Sequence, residues 1–145
     1  RRPEAMRPYF LLPMLFSLAV LVGGCSGVPD EQQILGAMDA MEEALEGGQP
    51  GDFMDHVADD FSAGSGFDRR QLHSTLVGLM VRNQQVSITR TGTEITLHGD
   101  RATAVTTVLV LGGAGILPER SEHLRIESHW QKVDGDWVCF GARWE

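Results

Sequence analysis

Residues 122–145, EHLRIESHWQKVDGDWVCFGARWE, have the pattern of two β-strands joined by a tight turn. Two pairings of these strands are open. A two-residue turn at Asp134-Gly135 places Trp130 opposite Cys139 and leaves both faces of the hairpin mixed. A three-residue loop that adds Val133 and closes with a glycine bulge makes one face almost wholly apolar. Because burial of one face selects the register of a hairpin, the sequence favours the three-residue loop.

The favoured register predicts which hairpin side chains face the core. The predicted inward set lines a pocket or fills a core, and it consists of Leu124, Ile126, Ser128, Trp130, Val138, Phe140, Ala142 and Trp144. None of these side chains titrates, so this part of the wall is expected to be chemically inert. The opposite face carries Trp137, Arg143 and His129. Since aromatic residues and Arg are enriched at protein interfaces, this face predicts pairing into a homodimer.

The N-terminal residues have the pattern of a secretory signal. Met6 is followed by a basic residue, and Tyr9–Val22 is an apolar run of 14 residues, shorter than the roughly 20 that span a bilayer. Small residues then precede Cys25, which is typical of a cleavage site. The sequence predicts a signal peptide over residues 1–24, with residues 1–5 upstream of the true start. An ordinary signal with a chance cysteine is the alternative.

The stretch Leu21-Val22-Gly23-Gly24-Cys25 resembles the lipobox of bacterial lipoproteins. In that class the cysteine thiol receives a diacylglycerol, the chain is cut before it, and the new amino terminus is acylated. The resemblance implies a lipid-anchored protein with Cys25 as attachment point, residues 25–29 as tether and the domain facing the periplasm. Ser26, where inner-membrane lipoproteins carry an aspartate, resembles the pattern of outer-membrane lipoproteins. Two or more acyl chains give stable anchoring without a spanning helix.

The charge balance of residues 25–145 excludes some partners. This part of the chain has 9 basic and 19 acidic side chains, a net charge of −10. Nucleic acid needs a basic surface, so it is not an expected partner. No Cys or His spacing suits zinc and no glycine-rich loop completes a phosphate or dinucleotide motif, so neither a metal nor a cofactor is expected. With Cys25 lipidated, Cys139 has no partner for an internal disulfide.

The middle of the chain predicts three helices. The first begins at Asp30 and stops at the glycines after residue 46, because apolar residues recur at helical spacing between them. A second, short helix is predicted from Asp52 through residue 61, since Phe53, Val57 and Phe61 form one stripe. The third helix begins at Asp68, where Gln71 completes a capping-box spacing.

The apolar period then changes to two, which indicates strands. The inward apolar residues are at even positions at first, Val86 and Ile88, and at odd positions later, Ile95 and Leu97. A bulge is therefore predicted at Gly92. The β-branched run from residue 102 to residue 111 suits a buried strand. Residues 112–121 are predicted to be a loop, either a ligand gate or a simple connection.

The order of predicted elements, with the stretch Trp130–Trp137 and a later Trp144, resembles the nuclear transport factor 2-like (NTF2-like) superfamily, which includes SnoaL-like cyclases and ketosteroid isomerases. The resemblance covers residues 30–145. It implies an α+β fold in which three N-terminal helices pack on a bent antiparallel sheet and form a cone. Members of this superfamily are enzymes, ligand binders or protein-binding modules, so function has to come from the site.

The resemblance also says where catalysis would occur, since enzymes of this superfamily place an acid–base side chain on the cone wall. His56 and Asp60 are i, i+4 neighbours on the predicted second helix and form one candidate pair. An exposed pair on an acidic helix is the alternative. His73 lies one residue off the inward stripe of the third helix, and it either borders the pocket or faces solvent.

The sequence therefore favours a non-catalytic, membrane-anchored periplasmic module that binds a small apolar ligand or an envelope protein. The alternative is a SnoaL-like isomerase, dehydratase or hydrolase that uses His56 with Asp60, or His73. A structural subunit of an envelope assembly is a third hypothesis. A histidine inside a sizeable cavity would favour the enzyme, and a histidine that faces solvent would remove its case.

Overall fold

The structure is a computed structural model that describes residues 27–82, 87–111 and 122–145. The predicted signal peptide, Cys25, Val86 and the predicted loop 112–121 lie outside the described residues. Three helices and six strands are formed by the described residues. In chain order they are α1 (Asp30–Glu46), α2 (Pro50–Met54), β1 (Val57–Ala63), β2 (Phe67–Asp68), α3 (Arg69–Val81), β3 (Ser87–His98), β4 (Arg101–Leu111), β5 (Glu122–Val133) and β6 (Asp136–Trp144).

The six strands form one sheet in the order β2-β1-β6-β5-β4-β3. Strands β3 to β6 make the predicted antiparallel meander, and β1 pairs with β2 in the same antiparallel sense. Between β1 and β6, however, the pairing is parallel. The α+β class and the antiparallel meander are therefore confirmed, and the sheet is extended beyond the prediction by β1, which adds to the edge of β6 in the same direction.

The predicted second helix is too long. Helix α2 ends at Met54, and the residues from Val57 onwards form β1. Val57 and Phe61 are both buried, but a spacing of four keeps two side chains on one side of a strand as well as on one side of a helix. Asp52 does not cap α2 either. The position before the helix is Gln49, which makes no side-chain cap, and Pro50 opens the first turn.

The start of α3 confirms the predicted capping box. The backbone N–H of Gln71 donates to Asp68 Oδ1 at 2.8 Å, and the backbone N–H of Asp68 donates to Gln71 Oε1 at 3.0 Å. These two bonds satisfy donors that the first turn of a helix otherwise leaves free.

The bulge predicted in β3 is confirmed. Arg90 pairs with Val108 and Gly92 pairs with Thr107, so Thr91 stands outside the ladder. A bulge of this kind bends its strand and reverses which residues point inward. Ile88 and Ile95, of opposite parity, accordingly both face the helices.

The favoured register of the terminal hairpin is wrong. Val133 pairs with Asp136, which leaves the two-residue turn Asp134-Gly135. Both turn residues have positive φ, 51° and 92°, as a type I′ hairpin turn requires. A second irregularity follows: Trp130 pairs with Cys139 but His129 pairs with Gly141.

Phe140 is therefore an extra, bulged residue in β6. This bulge explains why the two-residue turn, interpreted without it, leaves both faces of the hairpin mixed. Before the bulge Trp137 and Cys139 point inward, and after it Ala142 and Trp144 do so. A regular strand keeps alternate residues on one face throughout, whereas in β6 the inward positions change from odd to even numbers at Phe140.

Candidate functional site

A cavity of about 240 Å³ lies between the helices and the inward face of the sheet. Its wall is formed by side chains from every element of the fold, and almost all of them are apolar. The lining residues are Met38, Met41, Glu42 and Leu45 of α1, Phe53 of α2, Val57 and Phe61 of β1, Phe67 of β2, Leu72 of α3, Ile88 of β3, Thr106 and Val108 of β4, Ile126, Ser128 and Trp130 of β5, and Cys139, Ala142 and Trp144 of β6.

The hydroxyl groups on this wall already have partners within the protein. The indole Nε1 of Trp130 donates to Ser128 Oγ at 2.9 Å, and Ser128 Oγ donates to the carbonyl oxygen of Ala104 at 3.4 Å. Thr106 Oγ1 lies 3.4 Å from Thr93 Oγ1 and donates to it. Since these polar groups are satisfied without a ligand, the wall offers a guest mainly apolar surface.

Glu42 is the carboxylate on the cavity wall. Its Oε1 lies 2.7 Å from Nε of Arg90, a residue of β3 that is 18% exposed. The Arg90 N–H is not aligned with this oxygen, so the contact is an ion pair without a well-formed hydrogen bond. A terminal nitrogen of Arg90 also pairs with Asp39, one turn before Glu42 on α1.

The surroundings of Glu42 are acidic. Burial, together with the carboxylate of Glu46, raises the pKa of Glu42. Glu46 in turn accepts from the hydroxyl of Ser87 and from the backbone N–H of Ile88, both at 3.4 Å. Two carboxylates of α1, Asp39 and Glu42, thus contact the single guanidinium of Arg90, and Glu46 adds a third negative charge near Glu42, which favours a net negative charge at this end of the cavity.

Cys139 is the other ionisable group among the described lining residues. It is buried, and its Sγ lies 3.3 Å from the carbonyl oxygen of Gly141. Burial raises the pKa of Cys139 to about 11, because the thiolate would lose its hydration inside the protein. At neutral pH the side chain therefore behaves as a small apolar group.

The structure brings five residues of the predicted inward set to this wall, namely Ile126, Ser128, Trp130, Ala142 and Trp144. Leu124 lies two residues before Ile126 on β5, where it pairs with Val108 of β4, and it does not border the cavity. Trp144 is about half exposed, and its ring makes an edge contact with Phe67 at 6.3 Å between centroids.

Phe140 and Val138 lie elsewhere, contrary to the prediction, because the two-residue turn places Trp137 and Cys139 on the inner side of β6 and their neighbours on the outer side. The Phe140 ring lies 6.0 Å from the ring of His129, and the guanidinium of Arg101 lies 5.3 Å from its centroid. Val138 borders a separate surface depression that also includes His56.

None of the three predicted catalytic residues borders the cavity. His56 lies in the turn between α2 and β1, and Asp60 lies on β1, where it accepts from Gln131 Nε2 at 3.2 Å. They are not helical neighbours, so the predicted i, i+4 pair is wrong. His73 is exposed on α3. The predicted pair depends on a helix that includes Val57 and Phe61, and these residues belong to the strand β1 instead.

The predicted interface is also incomplete. Trp137 is only 3% exposed, and its Nε1 donates to Asp30 Oδ1 at 3.0 Å. Trp137 therefore belongs to the core and cannot contribute to an outward face. Arg143 and His129 both pair with Glu127, at 2.8 Å and 3.3 Å. The Arg143 hydrogen bond is the main cause of a lowered pKa for Glu127.

The sequence contained a signal for Glu42 that the prediction missed. Met38, Met41 and Leu45 form the inward stripe of α1, and Glu42 occupies the i+4 position of that same stripe. A carboxylate within an apolar stripe is unusual, because a buried charge needs a partner. Its partner, Arg90, is 48 residues away in the sequence.

Two further observations concern the described residues as a whole. They contain no group of three or more His, Cys, Asp or Glu side chains placed to hold a metal ion. Among the helices in residues 27–82, none has the length and apolar character needed to cross a membrane.

Comparison with known proteins identifies the fold. No family model and no curated protein matches the chain. Solved structures do match. An NTF2-like protein from Cytophaga hutchinsonii aligns with a TM-score of 0.65 and 14% identity over 81% of this chain and 98% of its own. A candidate dehydratase of the NTF2-like family from Streptomyces avermitilis aligns with a TM-score of 0.65 and 18% identity over 78% and 92%.

A third structure, from Nostoc punctiforme, has a cystatin-like fold and unknown function. It aligns with a TM-score of 0.62 and 14% identity over 80% of this chain and 90% of its own. Identities this low establish architecture and leave activity open. The described domain therefore has the NTF2-like, cystatin-like α+β fold.

Proposed function

We propose that this domain is a non-catalytic binding module that holds a small apolar ligand in the cavity between its helices and its sheet. The observation that carries the proposal is the composition of the wall, where the lining residues are apolar and the hydroxyls of Ser128 and Thr106 have internal partners. A wall of this kind favours a ligand through burial of apolar surface.

The size of the cavity limits the ligand. A volume of about 240 Å³ exceeds the roughly 150 Å³ of a dry apolar cavity that admits benzene, and lies below the roughly 300–1,000 Å³ typical of drug-sized pockets. An aromatic ring system or a short acyl chain fits these limits. Met38 and Met41 on the wall support adaptation to ligands of different shape, since Met side chains change rotamer readily.

We also propose that the domain is held at the periplasmic side of an envelope membrane by lipid on Cys25, with the outer membrane as its site. The lipobox-like sequence supports this proposal. Four residues lie between Cys25 and Asp30, the first residue of α1, so an extended tether of five residue steps would reach only about 18 Å. Labelled palmitate should enter the full-length protein and be absent from Cys25→Ser, and equal labelling of both would contradict the anchor.

Ligand binding is tested by calorimetry with octan-1-ol on purified Cys25→Ser protein. Ala142→Phe should fill the cavity and weaken binding at least about tenfold. Arg143→Phe is the matched control, because the same ring is added to the next residue, on the exposed face. Absence of binding by the parent protein, or equal weakening by both variants, would contradict a ligand cavity and favour a protein partner.

An acid–base enzyme is the second candidate function, and Glu42 is the observation that favours it. Its carboxylate lies on the cavity wall, and burial raises its pKa as a general base requires. The similar structure from Streptomyces avermitilis is that of a candidate dehydratase, which also supports this second function. Conversion of a bound small molecule by the parent protein, lost in Glu42→Gln with binding retained, would replace the first proposal by this one.

A further inference from the structure

The acidic end of the cavity indicates which ligands it accepts, an inference that rests on the proposed ligand-binding function. We infer that the cavity selects neutral or cationic apolar molecules and excludes anionic amphiphiles such as fatty acids, with Glu42 as the residue that sets this preference. The relevant groups are Glu42 on the wall and the charges around it, Asp39, Glu46 and Arg90.

The first step concerns the guanidinium of Arg90, which an anionic ligand would need as its partner. Arg90 faces α1 from β3 with its side chain mostly buried, and two carboxylates already occupy it. Its Nε lies 2.7 Å from Glu42, and a terminal nitrogen pairs with Asp39. An anion would have to compete with these two carboxylates for Arg90.

The second step concerns the net charge. Asp39, Glu42 and Glu46 contribute three negative charges on one stretch of α1, against one positive charge on Arg90. Asp39 and Glu46 are exposed, so solvent screens their charges, whereas Glu42 is partly buried on the cavity wall, where a lower dielectric constant strengthens its repulsion of a like charge. A ligand carboxylate or sulfonate would be repelled, whereas an ammonium group would be attracted.

The third step concerns the rest of the wall. Glu42 and Cys139 are the ionisable groups among the described lining residues, and neither supplies a positive charge. Ser128 has internal partners for its hydroxyl. An anionic head group placed against these described walls would remain unpaired, which is unfavourable for a buried charge.

The test compares ligands with the same tail and different head groups. Octan-1-ol, octan-1-amine and octane-1-sulfonate are titrated into the Cys25→Ser protein at about pH 7.5, and fluorescence of the wall residues Trp130 and Trp144 reports binding. The alcohol and the amine should each bind at least about tenfold more tightly than the sulfonate. Equal or tighter binding of the sulfonate would overturn the charge preference while leaving ligand binding intact. Binding of none of the three would overturn the proposed function, and this inference with it.

Variants then assign the preference to Glu42. Glu42→Gln should reduce the ratio of alcohol to sulfonate affinity at least about threefold, because one negative charge is removed and Arg90 loses one of its two partners. Glu43→Gln is the matched control, since it removes the same charge from an exposed neighbour on α1. The same change of ratio in both variants would overturn the role of Glu42.

A measurement on the unmutated side chain covers the case in which Glu42→Gln does not fold. The sulfonate stays ionised throughout the accessible pH range, whereas burial raises the pKa of Glu42 above its ordinary value of 4.5, so more than half of Glu42 is neutral at pH 4.5. The groups that face it are Arg90 from β3 and Asp39 and Glu46 from α1. Sulfonate affinity relative to the alcohol should rise about twofold or more between about pH 7.5 and pH 4.5. A ratio that does not change with pH would overturn the inference.

Discussion

Trp130 and Cys139 face each other across the terminal hairpin, and both side chains are buried under the helices. One position further along β6, Phe140 is left out of the ladder and lies against Arg101 on the other side of the sheet. This change of parity decides which aromatic rings of the hairpin line the cavity.

Alanine at Trp130 and at Phe140 should therefore have unequal effects. Trp130 is 1% exposed, so Trp130→Ala should lower the free energy of unfolding by about 3–5 kcal/mol. Phe140 is only half-buried on the outer face, so Phe140→Ala should cost about 1 kcal/mol. Urea denaturation followed by circular dichroism measures both. Equal losses would show that the two rings share one environment, which would contradict the register of the hairpin.

Asp30 should make the stability of the folded protein depend on pH in the acidic range. Its carboxylate accepts from Lys132 Nζ at 2.7 Å and from Trp137 Nε1 at 3.0 Å. These hydrogen bonds, that of Lys132 first, lower the pKa of Asp30 below its ordinary value of 3.8. Since the folded-state pKa is the lower one, the contribution is present above about pH 3.8 and is lost as the pH falls through the folded value.

Thermal melts of Asp30→Asn and the parent protein check this dependence. The variant should melt at a lower temperature at neutral pH, and the difference should shrink as the pH falls below 3.8. Glu31→Gln removes a charge from the same first turn of α1 and serves as the control. A difference between Asp30→Asn and the parent that stays constant down to pH 3 would contradict the ionised role of Asp30.

The capping box of α3 gives a third prediction. Asp68→Ala should lower the free energy of unfolding by about 1 kcal/mol, because it removes the acceptor for the Gln71 N–H. Asp52→Ala is the control, since Asp52 lies in the first turn of α2 and makes no side-chain cap. Chemical denaturation of the two variants should separate them, and a larger loss for Asp52→Ala would be inconsistent with the structure.

Cys139 should be a poor nucleophile in the folded protein. With a pKa of about 11, only about one thiol in a thousand is ionised at pH 8. In the Cys25→Ser protein it is the single cysteine, so its reaction with Ellman's reagent should be at least about a hundredfold slower in buffer than in urea.

A bound ligand should slow this thiol further. Cys139 lies on the cavity wall, so octan-1-ol should protect it from methyl methanethiosulfonate, a small neutral reagent that can enter. Fast reaction in buffer with no protection would mean that the thiol is reached from outside the cavity.

Some parts of the fold could be predicted because the deciding interactions are local. The capping box at Asp68 depends on two residues three positions apart, and the bulge at Thr91 leaves a change of parity in a single strand. The α+β class followed from the change of apolar period after α3. In each case neighbouring residues carried the information.

Other parts depended on distant residues. The spacing of Val57 and Phe61 fits a helix and a strand equally well. This segment forms a strand because it pairs with the edge of β6. Glu42 could be noticed as a charge in an apolar stripe, but its role depends on Arg90, which approaches only when β3 packs against α1. His56 and Asp60 lost their predicted relationship for the same reason.

The sequence by itself determined that residues 122–145 form a hairpin and that Trp130 points into the core, because local alternation and a turn at Asp134-Gly135 leave few alternatives. Only the tertiary structure decided that Phe140 is expelled from the inward face and that Trp137 is drawn into it. The physical reason is that the turn and the bulge set the phase of β6, and the Trp137 side chain is bound by Asp30, which lies 107 positions away in the chain.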